Sequence, residues 1–146
     1  IARKAGLLLS NGNIVSTNGS SPLFFENGVT NNLYVVVHHR NHLSVLSNYA
    51  VTQTGGIYTY DFRTAVGQAY GTGSQKQVAA GTWGLYTGDA DCNGVIEAAD
   101  LVPAWKPNAG KVGYLPADLN FDRHVNNKDK DSSWHPNLGK GTNVPD

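Results

Sequence analysis

The sequence predicts a mainly β chain, a β-sandwich over residues 1–87 followed by a small α unit over 88–146. Three observations predict it. Short apolar runs separated by Gly, Asn and Ser turns fill the first 87 residues, with no helical periodicity. From residue 89 the composition changes, because nine of the eleven acidic residues fall in 89–146. The same region also repeats itself at an offset of 29 residues.

Taken in order, AGLLLS (5–10), the hairpin signal Asn11-Gly12-Asn13 and IVST (14–17) predict two paired strands. PLFF (22–25) follows Asn18-Gly19-Ser20-Ser21 and reads as a further short strand. LYVVVHHR (33–40), with three consecutive valines, carries the highest strand propensity in the chain. SVLS (44–47), YAV (49–51), IYTYDF (57–62) and WGLYT (83–87) complete the set, with turn pairs Asn27-Gly28, Asn31-Asn32 and Gly55-Gly56 between runs. Alternation along 57–62 places Tyr58, Tyr60 and Phe62 on one face, the expected core side, and Ile57, Thr59 and Asp61 on the other. Strands at this spacing argue a sandwich.

Residues 89–100 read DADCNGVIEAAD and residues 118–129 read DLNFDRHVNNKD. Each places side-chain oxygens at loop positions 1, 3, 5, 9 and 12: Asp89, Asp91, Asn93, Glu97 and Asp100, then Asp118, Asn120, Asp122, Asn126 and Asp129. In an EF-type loop, position 7 contributes only its backbone carbonyl, so Val95 and His124 fit there. So many oxygens repel one another unless a hard cation sits among them, and they suit calcium. Two calcium ions are expected. The repeat continues beyond the loops: Ile96 matches Val125, Trp105 matches Trp134, and Pro107-Asn108 matches Pro136-Asn137. Gly110-Lys111 likewise matches Gly139-Lys140. Each unit reads as a loop, a helix of about two to three turns begun inside it, a tryptophan and a Pro-Asn stop. Ile96 and Val125, at position 8, are expected to join the loops through a short strand bridge. The segments ahead of the loops, WGLYT (83–87) and GYLPA (113–117), lack a helical pattern, so each unit has one helix rather than two.

This arrangement resembles the type I dockerin family, which carries two calcium loops with Asp at position 12. The resemblance covers 89–146 and implies one site from Asp89, Asp91, Asn93, Val95, Glu97 and Asp100. The other comes from Asp118, Asn120, Asp122, His124, Asn126 and Asp129. Position 6, normally Gly for the sharp turn, is Gly94 in the first loop and Arg123 in the second, which predicts a strained and weaker second loop. Helix positions 10 and 11, where dockerins carry the pair that reads cohesin, are Ala98-Ala99 and Asn127-Lys128, which do not match each other. The stretches 33–47, 57–72 and 75–91 also resemble a β-sandwich module found near the C-termini of large secreted bacterial proteins, where a V-x-H-R-N-H-L segment leads into dockerin-type repeats. The expected fold is therefore an Ig-like or prealbumin-like sandwich followed by a small α dockerin-like pair of loop–helix units. The two parts are expected to pack together without a flexible linker.

Other readings carry less. Formal net charge is zero and no dense basic cluster exists, which argues against nucleic acid as a partner. No apolar run approaches the length of a membrane span. His38 and His39 point to opposite faces of a strand and cannot chelate one ion together, so His38, His39, Arg40 and His42 are expected to hydrogen-bond around a strand end. No G-x-S-x-G elbow, catalytic carboxylate pair or phosphate loop appears, and the chain is expected not to be an enzyme. Trp105 and Trp134 are expected to share a packing surface, and Trp83 to bury the junction before the first loop. Cys92 is the one cysteine, so no internal disulfide forms. The chain begins at Ile1 and contains no methionine, consistent with a mature or excised portion. Millimolar extracellular calcium fills even weak sites of this type, which places the chain outside the cell or on its surface. Asn18-Gly19-Ser20 is a glycosylation sequon. The expected role is a secreted, calcium-stabilised structural module that assembles with copies of itself into a filament or surface layer, through segment 5–10 or an open sheet edge. The alternative is a docking module that anchors a larger secreted protein to a cohesin-like receptor.

Overall fold

The structure, a computed structural model, describes residues 1–26, 28–29, 31–145 and forms two compact units, Ile1–Asn32 and Leu33–Asp146. The expected turn at Asn27-Gly28 lies partly outside the described residues. The first unit holds one hairpin, β1 (Leu7–Leu8) against β2 (Ile14–Val15), in the register Leu7↔Val15 and Leu8↔Ile14. Leu9 and Asn13 close it, the Leu9 N–H donating to the Asn13 carbonyl at 2.9 Å. PLFF (22–25) forms no strand. Among the described residues of this unit none is buried.

The second unit is mainly β, with two short helical segments. Its strands form three antiparallel hairpins: β3 (Val36–His39) with β4 (His42–Leu46), β5 (Thr52–Thr54) with β6 (Ile57–Thr59), and β7 (Lys76–Ala79) with β8 (Thr82–Gly84). The valine run of 33–40 makes β3 as its β-branching favours, although pairing begins only at Val36. Gly55 and Gly56, both at positive φ, supply the tight turn between β5 and β6 that side chains disfavour. β4 anchors the unit. Its alternation buries Leu43 and Val45, and its second edge takes further main-chain bonds. Leu43 N–H donates to Tyr86 O, Gly88 N–H to Asn41 O, and Tyr70 N–H to Leu46 O.

Two expectations about these strands are revised, and one strand is added. Tyr58 is 41% exposed rather than core, because every residue of β5 and β6 stands in solvent with no layer packed over the hairpin. Only Tyr60 and Phe62 turn partly inward, their rings 4.8 Å apart. YAV (49–51) is not a strand; the polar TQT beside it pairs instead, and KQVA (76–79) is a strand without an apolar signal.

The helical segments are wide-wound rather than regular. Asp100–Trp105 and Asp129–Trp134 wind as π-helix, and each tightens to a 3-10 turn, Lys106–Asn108 and His135–Asn137. Pro103 lies inside the first, but its equivalent in the second is Ser132. The geometry therefore belongs to the repeat and not to the proline. Asn108 and Asn137 finish the segments by donating their amides back to the carbonyls of Ala104 (2.6 Å) and Ser133 (2.8 Å).

One core serves both strands and loops. Leu43 of β4 packs with Ala90 and Ile96 of the first loop, Leu119 of the second and Trp134, with Tyr86, Leu101 and Ala104 alongside. The expected boundary at 87/88 lies inside this unit. Among the described residues no helix is long and apolar enough to cross a membrane.

Candidate metal centre

Each acidic loop is built by its own side chains folding back on its own backbone. Asp100, at position 12, accepts the N–H groups of Ala90 (2.7 Å) and Asp91 (3.3 Å) on one oxygen and Glu97 (2.7 Å) on the other. Asp91 accepts from Asn93 N–H, and Asn93 from Val95 N–H. Asp89 uses Oδ2 to accept from Gly94 N–H at 3.1 Å. These bonds coil the loop around its oxygens, as short polar side chains readily do. One carboxylate oxygen from each of Asp89, Asp91 and Asp100 consequently lies within 4.8 Å of the other two. Such a trio can hold a metal ion.

The second loop reproduces this pattern bond for bond. Asp129 accepts from Leu119 (2.7 Å), Asn120 (3.2 Å) and Asn126 (2.8 Å), and Asp118 Oδ2 from Arg123 N–H at 3.2 Å. Asp122 N–H donates to Asn120 and His124 N–H to Asp122. Its position 3 offers an amide, Asn120, where the first loop has the carboxylate of Asp91. Positions 4 and 6 are left-handed in both loops: Cys92 and Phe121 at φ 62°, Gly94 at 86° and Arg123 at 69°. Arg123 thus carries the strain its side chain implies.

One oxygen in each loop is left over. Asp89 is 3% exposed and Asp118 2%, yet Asp89 Oδ1 and Asp118 Oδ1 have no hydrogen-bond partner. A buried, unpartnered carboxylate oxygen costs on the order of 1–3 kcal/mol or more. It recurs at the same position of both repeats, where a bound cation could supply the partner. Burial first, and then the carboxylates of Asp100 and Asp91, push the Asp89 carboxyl above its usual range. Burial does the same to Asp100 and Asp118. Asp122, exposed and bonded to His124 N–H, is instead lowered. Oxygen-only donors in this number fit a hard divalent ion.

No family model, curated protein or solved structure matches this chain. The site therefore rests on its own geometry.

The twelve residues expected from the sequence fall into these two loops, with unequal roles. Asp89, Asp100, Asp118 and Asp129 are buried and bonded, whereas Asp91, Asn93, Glu97, Asn120 and Asp122 face solvent. Asn126 is half-buried, its side-chain oxygen accepting from Lys128 N–H at 2.8 Å. Val95 and His124 form isolated bridges with Gly141 and Val112. The expected bridge between Ile96 and Val125 is absent among the described residues. Ile96 bonds instead to Gly139 and Lys140, and Val125 to Gly110 and Lys111. The side chains of Ile96 and Val125 are both fully buried.

Supporting residues were not legible in the loops themselves. Asn41, fully buried in the β3–β4 turn, donates its amide to Pro116 O (2.9 Å) and Asp118 O (2.8 Å). Arg40 donates to Leu115 O and lies 3.6 Å over the Tyr114 ring. Thr87 donates to Leu119 O at 2.9 Å and accepts at its carbonyl from Asn137. His38 bonds Ser44, while His39 and His42 pack edge to face beside Phe121. Trp83 is half-buried, its main-chain N–H donating to Arg63 O.

Proposed function

We propose that this chain is a non-enzymatic, secreted structural module whose 88–146 region is a dockerin-like pair of loop–helix units stabilised by two calcium ions. The strands ahead of it belong on this reading to a sandwich of Ig-like or prealbumin-like type. The observation that carries the calcium assignment is the pair of unpartnered buried oxygens, Asp89 Oδ1 and Asp118 Oδ1, at equivalent places in two loops of matching hydrogen bonding. Asp89, Asp91, Asn93, Glu97, Asp100 and the Val95 carbonyl would hold one ion. Asp118, Asn120, Asp122, Asn126, Asp129 and the His124 carbonyl would hold the other. The ions would supply the positive charge that offsets the repulsion among the clustered oxygens of each loop.

Self-assembly outside the cell is the favoured role. It is supported by the first unit, whose apolar residues Leu7, Leu8, Ile14, Phe24 and Phe25 are all exposed. A segment of this size without buried residues has too little core to stand by itself, and a second copy of the chain would cover it. A docking module for a cohesin-like receptor is the second reading, favoured by exposed Ala98, Asn127 and Lys128 at the helix starts.

The test is thermal unfolding with calcium and with chelator, followed by electron microscopy of the calcium-loaded protein. A large drop in melting temperature on chelation supports the calcium assignment, and an unchanged curve overturns it. Fibres or sheets support assembly. Dispersed particles that bind a cohesin favour docking.

A further inference from the structure

The two acidic loops are closed crosswise. Around the first loop, Ile96 N–H donates to Lys140 O (2.8 Å), Gly139 N–H to Ile96 O (2.9 Å) and Thr142 N–H to Gly94 O (2.8 Å). All three partners lie in the tail after the second helix. Around the second loop, Val125 N–H donates to Lys111 O (3.0 Å), Gly110 N–H to Val125 O (2.8 Å) and Gly113 N–H to Arg123 O (2.8 Å). These partners lie in the tail after the first helix. The tryptophans cross in the same way: Trp105 Nε1–H donates to Asn126 O at 3.1 Å and Trp134 Nε1–H to Glu97 O at 3.0 Å.

Glu97 and Asn126 both stand at loop position 9. Each has its N–H fixed by the position-12 aspartate of its own loop, Asp100 or Asp129, and its C=O fixed by the tryptophan of the other repeat. The direction in which the position-9 side chain leaves the backbone is therefore set from both repeats.

We propose that Trp105 and Trp134 are positioning residues for the opposite loop, and that the two loops take up calcium as a coupled pair. This rests on the calcium reading above. An ion in the first loop orders the Glu97 peptide, hence Trp134 and the helix that begins at Asp129. The second loop then meets its ion with less left to order, and by reciprocity the second ion favours the first.

Calcium titration of the full chain, followed by the amide resonances of Gly94 and Arg123, tests this. Each of these amides donates to the position-1 carboxylate of its own loop. In the unaltered chain both resonances should shift together. Trp134→Phe should weaken calcium at Gly94 about fivefold, the worth of one hydrogen bond, with a smaller effect at Arg123. Trp105→Phe, at a half-buried residue, should do the reverse. The proposal is overturned if each variant weakens the loop of its own repeat more than the opposite loop. It is also overturned if the unaltered chain fills its loops independently. No response to calcium at either amide would overturn the calcium reading itself, a distinguishable failure.

Discussion

Asn41 ties the β3–β4 turn to Asp118: its side-chain amide donates to the Asp118 carbonyl at 2.8 Å and to the Pro116 carbonyl at 2.9 Å. Its own carbonyl oxygen meets His42 Nδ1 at 2.8 Å, so both ends of the side chain are used. Strand turn and acidic loop are thus one structure. Asn41→Ala would leave two carbonyls without their donor in a buried place. It should cost about 2–4 kcal/mol of stability. Denaturant unfolding in calcium measures this. A loss under 0.5 kcal/mol, on the order of a surface substitution, would show that water replaces the amide.

Arg123 offers a gain rather than a loss. Its φ of 69° is left-handed, where a side chain costs about 1–2 kcal/mol that glycine does not incur. The guanidinium makes no ion pair among the described residues, so little is surrendered with it. Arg123→Gly should raise stability by about 1 kcal/mol, less the extra freedom of the unfolded glycine. It should also tighten calcium at the second loop. A thermal melt with and without calcium, compared with unaltered protein, reads both effects; equal or weaker affinity would count against strain.

The loops were legible in the sequence because ligand spacing is local: Asp89 to Asp100 must bond within twelve residues, whatever surrounds them. Register at 29 residues likewise exposed the equivalence of Trp105 and Trp134. The crosswise closure was not legible, because pairing Ile96 with Lys140 joins residues far apart and apolar residues at position 8 suit either partner. Strand edges failed for a related reason. Propensity marked LYVVVHHR as a strand, but pairing alone decides that it starts at Val36 and that polar TQT joins IYT. Asn41 carried no signal at all, since an Asn in a turn reads as an ordinary turn residue.

His42 sets a pH dependence on the strand side. Burial first, then His39 and Arg40, lower its pKa to about 3, and His39 is lowered in the same direction, by burial and then Arg40. The unfolded chain takes up these protons near pH 6.5, while the folded chain resists until far lower. Stability is therefore lost as pH falls below about 6.5, by up to about 1.4 kcal/mol per unit for one such group. His42→Asn, which retains a donor toward Asn41, should flatten the fall between pH 6.5 and 4 at saturating calcium. An unchanged slope would place the effect elsewhere.

The loop carboxylates act with the opposite sign. Asp89, Asp100 and Asp118 are raised above their unfolded values when no ion is present, chiefly by burial. Their protonated forms stabilise the ion-free fold below the ordinary carboxylate pKa, and that stability is lost as pH rises through the raised values. On the calcium reading, the bound ion would reverse this by favouring the ionised forms, so binding would expel protons wherever the raised groups are still partly protonated. Calorimetric titration just above the ordinary carboxylate range should give binding heats that depend on the ionisation enthalpy of the buffer, and the dependence should fade as pH rises further. Asp89→Asn removes one raised group along with its charge, so it should both weaken calcium at the first loop and reduce the protons expelled. Buffer-independent heats at the lower pH would mean that these carboxyls are already ionised, and that water reaches the Asp89 and Asp118 oxygens which the fold leaves without a protein partner.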